Sequence, residues 1–252
     1  MLSQIKNNIK ADALVVRKST FVKGAAWVCA IIIAFVLYTS SKIMNEMSSA
    51  GYYASQLLIT LAQFNVFAGI IIGAILGAKD FDWQTYSVRL TNTQRIVLYA
   101  SRIATLLLCA IALMILHLLI GFLFDMLAGT AEIISVVFIY KILCVTLIVF
   151  LWSCASYALA FSTKSYTIAS SMGIGYLLAE SFFGRFFPEE LLHILPVWNQ
   201  KSLLKYFFPA NEGAVAIIQQ TFGNYKTSLM VILGYLILLL CFLLILTKRK
   251  QY

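Results

Sequence analysis

Hydrophobic residues in this chain come in long runs, with polar residues gathered into short clusters between them. Six runs stand out, at 24–44, 57–78, 96–124, 134–161, 168–183 and 228–246. Most approach or exceed the roughly 20 residues that a helix needs to cross bilayer hydrocarbon, and none alternates with the period of a barrel strand. The pattern predicts an all-α, polytopic membrane protein with six transmembrane helices, forming one integral membrane domain over 1–252. Ahead of the first run, residues 1–23 mix Lys6, Lys10, Arg17, Lys18 and Lys23 with apolar positions. Leu2, Ile5 and Ile9 share one side of a helix, so this segment reads either as an amphipathic helix on the membrane surface or as a basic stretch that only sets orientation. The run that follows is too long for a signal peptide and has no small-residue cleavage site behind it.

Two features sit inside this alternation. Gly69, Gly73 and Gly77 recur every four residues, which either lets a second helix approach closely or reflects glycines tolerated without a tight partner. The long segment 184–227 holds all three prolines, Pro188, Pro196 and Pro209. Its apolar clusters at 190–195 and 214–218 are too short to span. They read as short helices broken at each proline and dipping re-entrantly into the outer half of the membrane, or as a compact extracellular loop.

Composition fixes the class independently. The chain has 252 residues, 62% of them hydrophobic, and a mean hydropathy of +0.90, which excludes an ordinary soluble domain. Its 19 Lys+Arg against 10 Asp+Glu do not form a basic stripe interleaved with aromatics, so nucleic acid is not the expected partner. They collect beside the ends of the apolar runs. With both termini assigned to the cytoplasm, the inner faces hold Lys79, Arg89, Arg95, Arg102, Lys164, Lys248, Arg249 and Lys250 besides the N-terminal group. The outer faces hold only Lys42, Lys141, Arg185, Lys201, Lys205 and Lys226. The five cysteines all lie in apolar runs with no metal-binding spacing, and are expected as small buried hydrophobes.

Candidate chemistry is sparse. His117, in the third run, would either relay protons or pack as a polar residue hydrogen-bonded across helices. The other histidine, His193, stands in the outer segment, so neither a zinc site nor an HExxH protease is expected. Glu180, near the end of the fifth run, is an intramembrane ionisable group and a functional candidate by default, or else the partner of Arg185 in an outer-end ion pair. Together His117 and Glu180 form the candidate intramembrane polar site. Asp125 and Lys141 flank the connection between the third and fourth runs as interfacial anchors. The chain carries no nucleophile elbow and no Walker-type phosphate loop, so it is expected not to be an enzyme and to hold no cofactor of its own.

The densest polar stretch is 78–102, which concentrates Lys79, Asp80, Asp82, Arg89, Arg95 and Arg102 in a chain only 12% charged. Asp80, Phe81, Asp82, Trp83, Gln84 and Thr85 lead into Tyr86 to Leu90, then Thr93, Gln94 and Arg95 precede the third run. Trp83, Tyr86 and Leu90 would share one face of a helix, with the acidic pair near its start. This order of features resembles the segment after the second span in type-2 ATP-binding-cassette (ABC) exporter permeases, with Gln84 where glycine is common. Size and layout are similar to the peptide-exporter permeases of the phenol-soluble-modulin and lantibiotic-immunity kind.

The resemblance implies that 79–95 forms a cytoplasmic coupling helix docking on a separate ABC ATPase, with Asp80, Asp82, Trp83, Tyr86, Arg89 and Arg95 at that interface. It implies two copies of the ATPase, which hold ATP and Mg2+. It also implies a second permease, either an identical copy or a sibling, and a substrate path between the two. The expected function is ATP-driven export of an amphipathic substrate, a peptide first, with drugs, lipid-linked glycans and haem as open alternatives, through a bacterial plasma membrane, the chain being multi-pass with both termini cytoplasmic. The rival readings are a secondary, ion-coupled transporter, and a non-transporting membrane immunity or binding protein.

Overall fold

The computed structural model describes residues 2–43, 52–82, 94–128, 136–206 and 224–249. Among these residues every regular element is a helix. In chain order they are α1 (Leu2–Lys18), α2 (Thr20–Ile43), α3 (Tyr52–Asp82), α4 (Arg95–Ala128), α5 (Val136–Thr163) and α6 (Tyr166–Phe183). A 3-10 turn, Gly184–Phe186, then leads to the single-turn α7 (Glu189–Leu192), α8 (Pro196–Tyr206) and α9 (Tyr225–Arg249). Three stretches among the described residues are long and apolar enough to cross a membrane: Arg95–Leu127, Ile139–Thr163 and Tyr225–Lys248. Phe64–Lys79 is a shorter apolar helix of the same character.

The outside of the bundle agrees with that chemistry. On α4, Leu108, Ile115, Leu116 and Leu119 are exposed, and on α9 so are Met230, Ile237, Leu238 and Phe242. Continuous apolar faces of this size suit lipid and would be intolerable in water.

The core is built on α3 and α5, which lie against each other along most of their length. Gly69, Gly73 and Gly77 supply the reason. A Cβ on Gly73 would collide with the Ser153 carbonyl oxygen, and one on Gly77 would meet Ala160 Cβ and the Tyr157 carbonyl oxygen at 2.7 Å. The four-residue stripe is therefore a contact face, on which the α5 backbone rests directly. Val66, Ile70, Leu76, Ile148, Val149 and Cys154 fill the space beside it and are all buried. α2, α4 and α6 pack around α3, while α9 closes the bundle against α5 and α4.

Hydrogen bonds fix how the outer helices sit. Tyr99 of α4 donates to the Leu240 carbonyl of α9 at 3.0 Å. Trp152 Nε1 of α5 donates to Gln200 Oε1 of α8 at 2.8 Å, and the hydroxyls of Ser228 and Ser202 join α9 to α8 at 3.0 Å. Between α5 and α6 the chain turns through Lys164, whose φ of 56° is left-handed. The hydroxyl of Ser165 then caps α6 by accepting from the Ile168 N–H.

Several expectations change. α1 does more than lie on a surface: its face continues through Asp12 and Val15, both buried, and packs on α4. In the outer segment Pro188 and Pro196 each stand at a helix boundary. Pro188 precedes α7 and Pro196 is the first residue of α8, positions where the missing N–H costs nothing. α8 is wedged into the bundle, with Val197, Leu203 and Leu204 buried against it. Asp125 is fully buried. Of the cysteines, Cys144 and Cys154 are buried, Cys109 is half-buried and Cys241 lies exposed on the apolar outside. The second cluster of the outer segment, 214–218, and Pro209 lie outside the described residues.

Candidate functional site

The chemistry-bearing side chains gather in two regions, at one end of the bundle and inside it. The first lies where α3 and α5 finish, α4 and α6 begin, and α9 ends. Here α3 runs on past the apolar run to Asp82. Asp80 and Asp82 therefore belong to the last turn of α3, not to the start of a new helix, because nothing between Gly77 and Asp82 interrupts helical backbone. Phe81 packs edge-on against Phe161 of α5, with ring centroids 5.4 Å apart. The ammonium of Lys164 stands 5.6 Å from the Phe81 ring centroid, close enough for a cation–π contact. The far side of the polar segment is held as well. Arg95, at the start of α4, donates to the Lys248 carbonyl at 2.9 Å, satisfying an orphan acceptor in the last turn of α9. Trp83, Tyr86 and Arg89 lie outside the described residues.

About two turns further along α4, Arg102 makes a buried ion pair with Asp12 of α1, at 2.8 Å with both side chains almost completely enclosed. Thr105 points its hydroxyl at the same carboxylate, 3.4 Å away. A buried carboxylate without a partner would be costly, so this pair dictates which face of α1 meets α4. The composition of the segment around Arg102 drew attention to that residue, but Asp12 was not singled out. Its signal was present: Asp12 follows Leu2, Ile5 and Ile9 on the same helical face, where an acid is out of place unless it is paired.

Inside the bundle, His117 of α4 is 2% exposed, and its Nδ1 lies 3.1 Å from the side-chain amide of Asn65 on α3. Asn65 also reaches Met114 Sδ at 3.6 Å. His117 is thus hydrogen-bonded across helices. Asn65 could have been found from spacing, since it stands four residues before Gly69 and extends the same stripe. Among the described residues no group of three or more His, Cys, Asp or Glu side chains could hold a metal ion.

Glu180 has different partners from that pair. It is buried in α6 near its end, and its Oε1 accepts from the Trp198 N–H at 2.8 Å, with the Val197 N–H, the Tyr176 hydroxyl and Lys201 nearby. A carboxylate there neutralises the positive N-terminal end of α8 and satisfies its orphan donors. Glu180 therefore acts as a cap supplied from another helix. The Arg185 side chain, its expected partner, lies outside the described residues. His117 and Glu180 do not form one site: each is bound into a different helix junction.

Two of the recesses among the described residues bear on these side chains. One, of about 180 Å³, is lined by Val22, Ile33, Ile72 and His117 among others. The larger, of about 370 Å³, runs between α5, α6 and α9, with Ile70 of α3 as part of its wall and Pro196 at one end. Compared with known protein families and with curated proteins, the chain matches no family model and no curated sequence.

Proposed function

We propose that this chain is the membrane permease subunit of an ATP-driven ABC exporter that moves an amphipathic substrate, most simply a peptide, out of a bacterial cell. It works with a separate cytoplasmic ATPase, two copies per assembly, and with a second permease. In this reading α2, α3 and α6 join the three long apolar stretches as spans. The basic end of the bundle then faces the cytoplasm.

The observation that carries the reading is the way both ends of segment 83–93 are held. On one side Phe81 is clamped by Phe161 and Lys164. On the other, Arg95 is bonded to the end of α9. A partner gripping the segment would therefore act on α3, α5, α4 and α9 together, and not on a loose loop. α1 is joined to the same end through Asp12 and Arg102. That is what a coupling element needs: a contact surface whose displacement is transmitted to packed helices. The aromatic and Arg content of the segment (Trp83, Tyr86, Arg89) suits an interface anchor.

The test is co-purification from the native membrane in mild detergent. The intact chain is expected to retain a nucleotide-binding subunit, and Trp83→Ala/Tyr86→Ala to lose it while keeping its helical content and insertion. Recovery of the chain without any ATPase, together with transport that follows an ion gradient, would replace this reading by the ion-coupled carrier.

A further inference from the structure

A charged surface with no part in the exporter mechanism covers the side of α1 that faces away from the bundle. Lys6, Lys10 and Arg17 stand at i, i+4 and i+11, within about 40° of one another around the helix, and all three are exposed. Asp12 and Val15, buried where α1 packs on α4, lie on the opposite side. Lys18 and, at the start of α2, Lys23 are exposed as well.

No acid on this surface balances the row. Asp12 is the single acid in the first 45 residues, and its carboxylate is engaged by Arg102, 2.8 Å away inside the protein. Residues 2–23 therefore present exposed cations and no exposed carboxylate. Like charges one turn apart, as at Lys6 and Lys10, repel and weaken a helix. An anionic surface laid against the row relieves that repulsion.

The tether of α1 says which surface this is. A single residue, Ser19, separates α1 from α2. Its N–H bonds to the Val15 carbonyl and its own carbonyl accepts from the Lys23 N–H, both at 3.2 Å, so the joint has no slack. On α2, Trp27, Ile31 and Phe35 form a strongly exposed apolar stripe. Trp27 stands one turn after Lys23, the order in which an ammonium and an indole mark the headgroup level. α1 is thus held beside the headgroups. Leu14, four residues from both Lys10 and Lys18, is 52% exposed. A hydrocarbon side chain among cations suits the boundary of headgroups and acyl chains, rather than the surface of a soluble acidic protein.

We propose that the outward face of α1, with Lys6, Lys10 and Arg17 at its centre, binds anionic phospholipid headgroups while Leu14 inserts among their acyl chains. Such binding needs α2 to span the bilayer, as in the exporter reading, but needs no ATPase and no cargo. Each basic residue near such a surface favours it roughly five-fold, and salt weakens the attraction.

The experiment uses the full chain in phosphatidylcholine nanodiscs containing a minority of phosphatidylglycerol. A trace of photoactivatable lipid carries a diazirine in the upper part of one acyl chain, on either headgroup, and adducts are mapped by mass spectrometry. Both probes are expected to label α2 around Ile31 alike, whereas the phosphatidylglycerol probe labels α1 well above the phosphatidylcholine probe. Lys10→Gln should lower that excess roughly five-fold, and Lys6→Gln/Lys10→Gln/Arg17→Gln should remove it. The charge-conserving Lys6→Arg/Lys10→Arg/Arg17→Lys should keep it, which excludes misfolding as the cause. Lys226→Gln, at the start of α9, should leave it unchanged. Equal labelling of α1 by the two probes, with α2 still labelled, overturns the lipid site alone and leaves an acidic protein as the partner of the row. An excess indifferent to the triple neutralisation also overturns it. Absence of adducts on α2 removes the span, and the lipid site with it.

Discussion

At the scale of single residues, polar groups inside this bundle act as fasteners. Asp12 and Arg102 illustrate the energetics. Removing one partner strands a buried charge, so Asp12→Ala or Arg102→Ala should each cost roughly 3–5 kcal/mol, whereas removing both should cost much less than the sum. A double-mutant cycle on thermal unfolding in detergent measures this, and additive losses would show that the pair is not coupled. Glu180 follows a different rule because its partner is a helix terminus. Glu180→Ala should cost about 0.5–2 kcal/mol, as loss of a cap does, while Glu180→Gln, which keeps an acceptor for the Trp198 N–H, should cost less. Chemical shifts or unfolding midpoints of the two variants decide it: equal damage would make the charge itself the important feature. Glu180 was legible as a residue of consequence, because an acid in an apolar run demands an explanation. Its partner was not, since 18 residues and a change of direction separate it from Trp198.

At the scale of elements, the central fact is the direct seating of α5 on the glycine stripe of α3. Gly73→Ala must push the Ser153 carbonyl away, and an overpacked contact of this kind should cost roughly 1–3 kcal/mol or prevent assembly. Gly234 of α9 is the internal control. Nothing lies within 4 Å of a Cβ built there, so Gly234→Ala should be neutral or stabilise by up to about 1 kcal/mol through helix propensity. Comparing the unfolding midpoints of the two variants tests the packing argument, and equal tolerance would contradict it. The stripe itself was visible in the sequence. What it packed against was not, because the opposing surface is mostly α5 backbone with small side chains, and backbone carries no signature. The outer segment shows the same limit. Pro188 and Pro196 mark helix boundaries, and only the neighbours of α8, Gln200 on Trp152 and Ser202 on Ser228, show that it is wedged into the bundle.

At the scale of the whole molecule, the arrangement concentrates connections between helices at one end. Phe81, Lys164, Arg95 and Arg102 tie α3, α5, α9 and α1 together there. If the polar segment between Phe81 and Arg95 receives force from an ATPase, loosening its anchor should weaken transmission more than docking. Phe81→Ala is then expected to keep the ATPase bound but reduce its stimulation by cargo roughly five-fold, a coupling change of about 1 kcal/mol. Hydrolysis rates in nanodiscs, with and without cargo, read this directly. Full stimulation in the variant would remove Phe81 from the coupling route.

Sequence alone determined the class, the positions of most apolar helices, the polar character of 78–102 and the existence of a small-residue face. These follow from local quantities: run length, charge and a repeat of four residues, none of which depends on what lies opposite. Tertiary structure alone decided the partners. It set Asp12 on Arg102, Asn65 on His117 and Glu180 on the start of α8. The reason is physical. In an apolar bundle nearly every helix is hydrophobic all round, so periodicity says little about which face meets which neighbour. That choice is made by backbone fit and by the few buried polar groups that must find each other.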